Sequence, residues 1–363
     1  MFSLDEDAIE NLVIGAAILG TGGGGDPKKG LDLLLGAVRS GLNLNVVSLD
    51  ELPEDSYIVC PFHLGTVAPS TEGKVSVIFN NPMEIAIKKM RELLKKKVDA
   101  TIATEIGGFN TAIAIYIAAS LNLPAVDADL GGRASPELHQ NTVNIFDIPR
   151  YPCVIVSRTG NLVVVERYAN IDDLESIARH ISTLAGGFIS VVNTPLDVFT
   201  SKKVAVHGTI SKCIKVGATV KESIRKGLDT IEQLVTVLDG YFLFKGIVEK
   251  YDWKDEGGFL IGKVFVKGIN QWEGHEFESW IKNEHIIAFR DGTPIVMPPD
   301  LISFIDEKGH AIMNSELKKG VVVNVIGTKA PEIWRTRKGL ELFGPKHFGF
   351  NYEYTPIEKL VNY

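Results

Sequence analysis

Apolar residues at Ile9, Leu12, Val13 and Ala16 fall at the i, i+3, i+4, i+7 spacing of one helix face, and Ser3-Leu4-Asp5-Glu6 before them reads as a capping box. A second helix is predicted after residue 26. Asp26 is a good N-cap, Pro27 has the φ of a first helical position, and Leu31, Leu34, Leu35 and Val38 recur at helical spacing. From residue 44 the texture alternates. Short apolar strands are predicted at 44–49 and 56–62, then an amphipathic helix over 82–97 with Met83, Ile87, Met90 and Leu94 inward. Next come the strand VDATIATEI at 98–106, a helix over 110–121 and the strand LPAVDADL at 123–130. Such βαβ alternation predicts an α/β domain with a mostly parallel sheet. A hairpin over 151–168 turns at Thr159-Gly160-Asn161.

Helical spacing resumes over 171–185 and about 217–238, with a strand KKVAVHGTIS between them. After Asp239-Gly240 the chain becomes a series of short valine- and aromatic-rich runs separated by glycine turns, which predicts antiparallel β structure. Two domains follow: residues 1–168, an α/β domain carrying a glycine-rich loop, and residues 169–363, a helical linker region followed by a β-rich C-terminal part.

Composition narrows the class. A chain of 363 residues with 45% hydrophobic positions can bury two cores. Its net charge of −7 speaks against nucleic acid as the main partner. No run of 18 apolar residues suits a membrane span, and the acidic start MFSLDEDAIE lacks the basic region of a signal peptide. Cys60, Cys153 and Cys213 are odd in number and far apart, as expected of a reducing cytoplasm.

The stretch ILGTGGGGDP at 18–27 holds the first candidate chemistry. Gly20, Gly22 and Gly25 satisfy G-x-G-x-x-G, yet a dinucleotide cradle needs a strand before it, and a helical pattern stands there instead. No Gly-Lys-Ser/Thr follows, so this is not a Walker A loop. Consecutive glycines let backbone approach a ligand closely, and amides at a helix start attract an anion or carbonyl oxygen. Gly22, Gly23, Gly24, Gly25 and Asp26 are therefore candidate substrate contacts, a hinge being the alternative. On the ligand reading, Gly24→Ala abolishes binding with little loss of thermal stability.

Two further polar clusters close predicted strands, where ligands sit in open α/β sheets. One is Glu105-Ile-Gly-Gly-Phe-Asn110 and the other is Asp127-Ala-Asp129-Leu-Gly-Gly-Arg133. Strand alternation puts Asp127 and Asp129 on one side, close enough to share a cation or a proton. Glu105, Asp127, Asp129 and Arg133 are the candidate catalytic set, with Asn110 beside it as a substrate contact. The alternative has the aspartates capping turns and Glu105 pairing with Arg133. If Glu105, Asp127 and Asp129 meet His207, they suit one divalent ion, zinc first and magnesium or manganese next. His139 reads as a half-exposed histidine on a helix begun by Pro136, and Cys60 as a small buried filler. No Gly-x-Ser-x-Gly or His-Glu-x-x-His motif occurs. In the β-rich part, Asn283 and Glu284 interrupt an amphipathic run, and polar groups there need either a structural partner or a ligand.

Taken in order, LGTGGGGDP (19–27), EIGGFN (105–110), VDADLGGRASPE (126–137), KNE (282–284), PPDLI (298–302) and GPKHFGF (344–350) resemble the S-methyl-thiohydantoin desulfurase family, which is associated with hydantoinase/oxoprolinase-type chains. The resemblance spans about residues 8–356. It departs at Lys282, where glutamine is usual, and at His139, where methionine is common. It implies an N-terminal α/β domain, a C-terminal β-rich domain and hydrolysis of a methylthio group from a five-membered cyclic amidine. The expectation is a cytoplasmic hydrolase of a small cyclic amide or amidine, acting by water addition at the ring carbon in an interdomain cleft. Neither nicotinamide nor ATP is expected, and the chain could form a homo-oligomer or join a hydantoinase-type partner. An ATP-dependent cyclic-amide hydrolase component and a non-catalytic ligand-binding subunit are the alternatives.

Overall fold

The computed structural model describes residues 1–67 and 76–361. The first helix, α1 (Glu6–Leu19), is capped by Asp5, whose side chain accepts from the Ala8 amide; the cap is therefore Asp5, and Ser3 belongs to a short strand instead. α2 (Pro27–Arg39) starts as predicted, with Asp26 accepting from the amides of Lys28 and Lys29. The helix α3 (Pro82–Leu94) buries Met83, Ile87 and Met90 and turns its lysines outward. By contrast α4 (Asn110–Ser120) is apolar nearly all round, and it is buried nearly all round.

Nine strands make the first sheet: β1 (Phe2–Ser3), β2 (Asn45–Val47), β3 (Tyr57–Gly65), β4 (Ala100–Ala103), β5 (Ala125–Asp129), β6 (Cys153–Val156), β7 (Leu162–Val165), β8 (Phe188–Asp197) and β9 (Val206–His207). Their order is β1-β2-β5-β4-β3-β8-β6-β7, with β9 added on β5. The run β2-β5-β4-β3 pairs in parallel, as βαβ alternation predicts. Antiparallel strands flank it, because β8 returns along the whole length of β3 and the hairpin β6–β7 joins there. Since β8 and β9 come from beyond residue 168, the boundary read at 168/169 falls inside this sheet.

The stretch after β8 differs from its sequence reading. Asp197 accepts from the Thr200 amide and starts α6 (Val198–Val204), after α5 (Ile171–Leu184). The strand expected around His207 is thereby reduced to β9. Gly208, at φ +70°, then turns the chain into α7 (Thr209–Lys226), and Gly227 and Asp229 separate that helix from α8 (Thr230–Leu238). The segment holding His139 is a turn and not a helix: the Gln140 amide donates back to the Glu137 carbonyl at 3.2 Å and the Gln140 side chain accepts from the Glu137 amide at 3.0 Å.

A seven-stranded antiparallel sheet follows: β10 (Tyr241–Glu256), β11 (Phe259–Gly268), β12 (Glu276–Lys282), β13 (Glu284–Arg290), β14 (Thr293–Val296), β15 (Leu301–Ile305) and β16 (Val322–Thr328), in the order β14-β13-β12-β11-β10-β16-β15. The fold is thus α/β with a β-rich C-terminal part. Among the described residues, no helix is long and apolar enough to cross a membrane.

Candidate functional site

One cavity of about 1280 Å³ lies at the carboxyl ends of β3 and β4 and is closed by the corner between β12 and β13. That corner is a single residue. Lys282 pairs directly with Glu284, so Asn283 alone makes the reversal, at φ +56°. Asparagine tolerates this left-handed conformation better than most side chains. Here Leu260 locks it from both sides: the Asn283 amide donates to the Leu260 carbonyl at 2.8 Å, and the Leu260 amide donates to Asn283 Oδ1 at 2.9 Å. The corner thrusts Asn283 and Glu284 into the cavity wall.

Glu284 meets the glycine loop there. The Gly24 amide donates to Glu284 Oε1 at 3.2 Å, while Glu284 Oε2 has no hydrogen-bond partner among the described residues. The carboxyl is 2% exposed, and burial and the nearby Glu105 charge raise its pKa well above the ordinary range. Glu105, just past β4, lines the same cavity. Burial raises its pKa too, opposed by donors from Asn110 Nδ2 at 2.8 Å and the Ser135 amide at 2.9 Å. Asn110 is held in turn by the backbone of His63, accepting from its amide at 2.9 Å and donating to its carbonyl at 3.1 Å. Two carboxyl groups from distant parts of the chain thus sense each other across one cavity.

The glycines of the loop serve this meeting. A Cβ on Gly23 would fall on Glu284 Oε1, and one on Gly24, at φ +73°, would lie 2.5 Å from Gly107 Cα. The Gly24 carbonyl accepts from the amides of Phe109 and Asn110 at the start of α4. Gly22, Gly24, Gly25 and Asp26 line the cavity, whereas Gly23 packs behind it. The loop is both cavity wall and bracket for Glu284.

Asp127, Asp129, Arg133 and His207 are absent from the cavity lining. Asp127 accepts from the Ser211 amide at 3.0 Å and the Ser211 hydroxyl at 2.5 Å, which caps α7. Asp129, 1% exposed, accepts from the amides of Gly131 and Gly132 at 3.0 and 2.7 Å. Burial pushes its pKa up to about 7. The two aspartates therefore shape turns on different neighbours, as capping residues do. Arg133 is fully buried. Its guanidinium donates to the carbonyls of Ala134, Pro299, Asp300 and His285 and to Thr21 Oγ1, which pins the glycine loop to the β-rich part. His207 is exposed, with Nε2 3.0 Å from the Lys202 carbonyl. The metal set of Glu105, Asp127, Asp129 and His207 does not gather: among the described residues the group of three candidate ligands is Glu137, His139 and His347.

Sequence reasoning missed several cavity residues. His63, stacked 5.4 Å from Phe109, has its pKa lowered to about 4 by burial and is a neutral imidazole. Arg179 reaches the carbonyls of Gly65 at 2.8 Å and Gly258 at 3.0 Å, tying α5 to the wall over the Phe259 ring. Neither sits in a motif of its own; strand end and helix face place them.

The same order of motifs is matched by family models along nearly the whole chain. Residues 7–167 match the S-Me-THD-like N-terminal domain and residues 169–357 the S-Me-THD-like C-terminal domain. The chain belongs to the S-Me-THD-like family. That bears out the resemblance to S-methyl-thiohydantoin desulfurases read from the motifs. A crystal structure of a protein from Chromobacterium violaceum shares the fold, with a TM-score of 0.79 and 22% identity, covering 98% of this chain and 100% of that one. No curated protein matches the chain.

In this S-Me-THD-like chain the cavity wall also carries Glu137, which lies outside the expected site set. Burial pushes the Glu137 pKa up, but hydrogen bonding from His347 and the Lys282 charge outweigh it and hold the group below the carboxylate range. Glu137 therefore stays ionised, its pKa shifted in the opposite direction to those of Glu105 and Glu284.

Proposed function

We propose that the protein is a hydrolase of an S-methyl-thiohydantoin-type cyclic amidine, with Glu105 and Glu284 as its acid–base pair. Membership of the S-Me-THD-like family supports a thiohydantoin-related activity. The observation that carries the reading is the burial of two carboxyl groups against one cavity, each with its pKa raised by burial and Glu284 raised further by the Glu105 charge. Two buried carboxyl groups facing one cavity resist ionising together and can hold a single proton between them, which suits general acid and base work in one turnover.

The donors decide where that proton rests. Glu105 accepts from Asn110 and Ser135, which favours its ionised form, whereas Glu284 keeps Oε2 free to carry the proton. Glu105 takes a proton from water as its oxygen bonds to the ring carbon, and Glu284 gives its proton to the ring nitrogen. The C–S bond then breaks. The new hydroxyl returns its proton to Glu284, the departing thiolate takes the proton from Glu105, and a hydantoin and methanethiol leave. Both carboxyls end as they began.

A phosphate-binding role for the glycine loop is disfavoured, because the Gly24 amide already serves a carboxyl group and a phosphate beside it would meet an acid. The test is incubation with S-methyl-thiohydantoin without nucleotide, following methanethiol with a thiol reagent and hydantoin by chromatography. Equal release of both supports the reading. Absence of both, from folded protein, contradicts it.

A further inference from the structure

The cluster at the edge of the cavity has the makings of a site that the acid–base pair does not use. Glu137, His139 and His347 each present a ligand atom, and these atoms lie within 4.8 Å of one another. His139 supplies the decisive detail. The residue is 9% exposed, its Nε2 lies 2.9 Å from Asp172 Oδ1, and its Nδ1 has no hydrogen-bond partner among the described residues. With Nε2 engaged by the Asp172 carboxylate, Nδ1 is the ring nitrogen that faces the cluster, 3.9 Å from Glu137 Oε2. A buried ring nitrogen without a hydrogen bond costs free energy unless a polar group or a metal ion meets it. An imidazole oriented by a carboxylate behind it is the arrangement typical of metal-binding histidines.

We propose that Glu137 Oε2, His139 Nδ1 and His347 Nε2 bind one divalent transition-metal ion, zinc by this donor set. Two imidazoles and a carboxylate make a three-ligand zinc site with the fourth position left to water. The other contacts of the cluster accommodate it. Lys282 pairs with the other glutamate oxygen, Oε1. Gln140 Nε2 donates to Glu137 Oε2 at 3.0 Å and to the Leu342 carbonyl at 3.0 Å, and lies 3.1 Å from His347 Nε2. His347 Nε2 sits 2.6 Å from Glu137 Oε2, a hydrogen bond in the metal-free protein. The ion takes the place of the proton between them, as metal uptake by protonated ligands requires.

The test uses the full chain, zinc and cobalt salts and two substitutions. After chelation, reloading with zinc and gel filtration, the wild type retains about one equivalent and the variants His139→Leu and His347→Gln less than about a tenth. Cobalt in the wild type gives visible d–d absorption, and Asp172→Asn weakens zinc binding by roughly 10- to 100-fold. Circular dichroism and Tm verify that the variants are folded, and the cobalt spectrum of the wild type needs no variant at all. Failure of the wild type to retain zinc, a wild type without d–d bands, or equal zinc retention in folded histidine variants overturns the proposal. None of these readouts depends on turnover, so the acid–base reading stands or falls separately.

Discussion

The Gly24 amide donates to Oε1 of Glu284, 260 residues away, at 3.2 Å. One hydrogen bond thus joins the glycine loop of the α/β part to the β12–β13 corner, and it fixes the carboxyl group at the centre of the proposed chemistry. The contact depends on glycine, since a Cβ at Gly23 would occupy the space of that carboxyl oxygen. Gly23→Ala should push Glu284 from its position and lower kcat by at least 10-fold, a change read by steady-state kinetics. Unchanged kcat would show that the carboxyl is not held there for catalysis.

Gly24→Ala should behave differently from what the sequence suggests. Its φ of +73° and the 2.5 Å approach to Gly107 mean that a Cβ strains the backbone and overpacks the loop. About 2–5 kcal/mol of stability should be lost, read by denaturant unfolding. A variant that keeps its stability and loses only ligand binding would restore the purely ligand-binding view of the loop.

The aspartates of LPAVDADL should prove structural. Asp127→Asn keeps a cap on α7 and should leave kcat within about 3-fold, since asparagine caps nearly as well as aspartate. A fall of 10²-fold or more would return Asp127 to the reaction.

Asp129 makes a pH-dependent prediction. Its folded pKa of about 7 lies above the ordinary 3.8, so the folded chain keeps a proton that the unfolded chain has released. The stabilisation is complete below about pH 4 and is lost as pH rises towards 7. Asp129→Asn does not titrate, so its Tm relative to wild type should rise between pH 4 and 7 and level off above. A difference constant across that window would mean that the aspartate is ionised throughout.

How much of this was legible beforehand follows from which interactions are local. Asp26 with Pro27, the α4 helix and the parallel strands were readable, because caps and hydrophobic period act within a few residues. Glu105 and Asn110 were legible as a polar cluster closing a strand and Asn283 and Glu284 as polar residues in an apolar run, and all four line the cavity. Arg133 and Asp129 carry the same signal and lie outside it. A buried polar residue announces that it needs a partner, not which partner. For Arg133 the partners come from Thr21, His285 and the Pro299-Asp300 turn, far along the chain. The helix that Pro136 suggests around His139 does not form, because Gln140 closes a turn on Glu137 through both its backbone and its side chain.

Arg133→Met should therefore act on stability. It leaves four carbonyls and a hydroxyl in the interior without their donor, at a cost of at least about 3 kcal/mol. Calorimetry checks this. A stability within 1 kcal/mol of wild type, alongside lost turnover, would make Arg133 a participant in the chemistry.

The most direct measurement is kcat for Glu284→Gln on S-methyl-thiohydantoin, with Glu105→Gln beside it and Tm recorded for both. Glutamine keeps the shape and an acceptor oxygen for Gly24 while removing the proton that Glu284 is proposed to carry. The expected result is kcat lower by roughly 10²- to 10⁴-fold in each variant, with Tm equal to or above wild type because a buried acid has been replaced by a neutral amide. Turnover within 3-fold of wild type in Glu284→Gln, from a folded protein, would contradict the central claim.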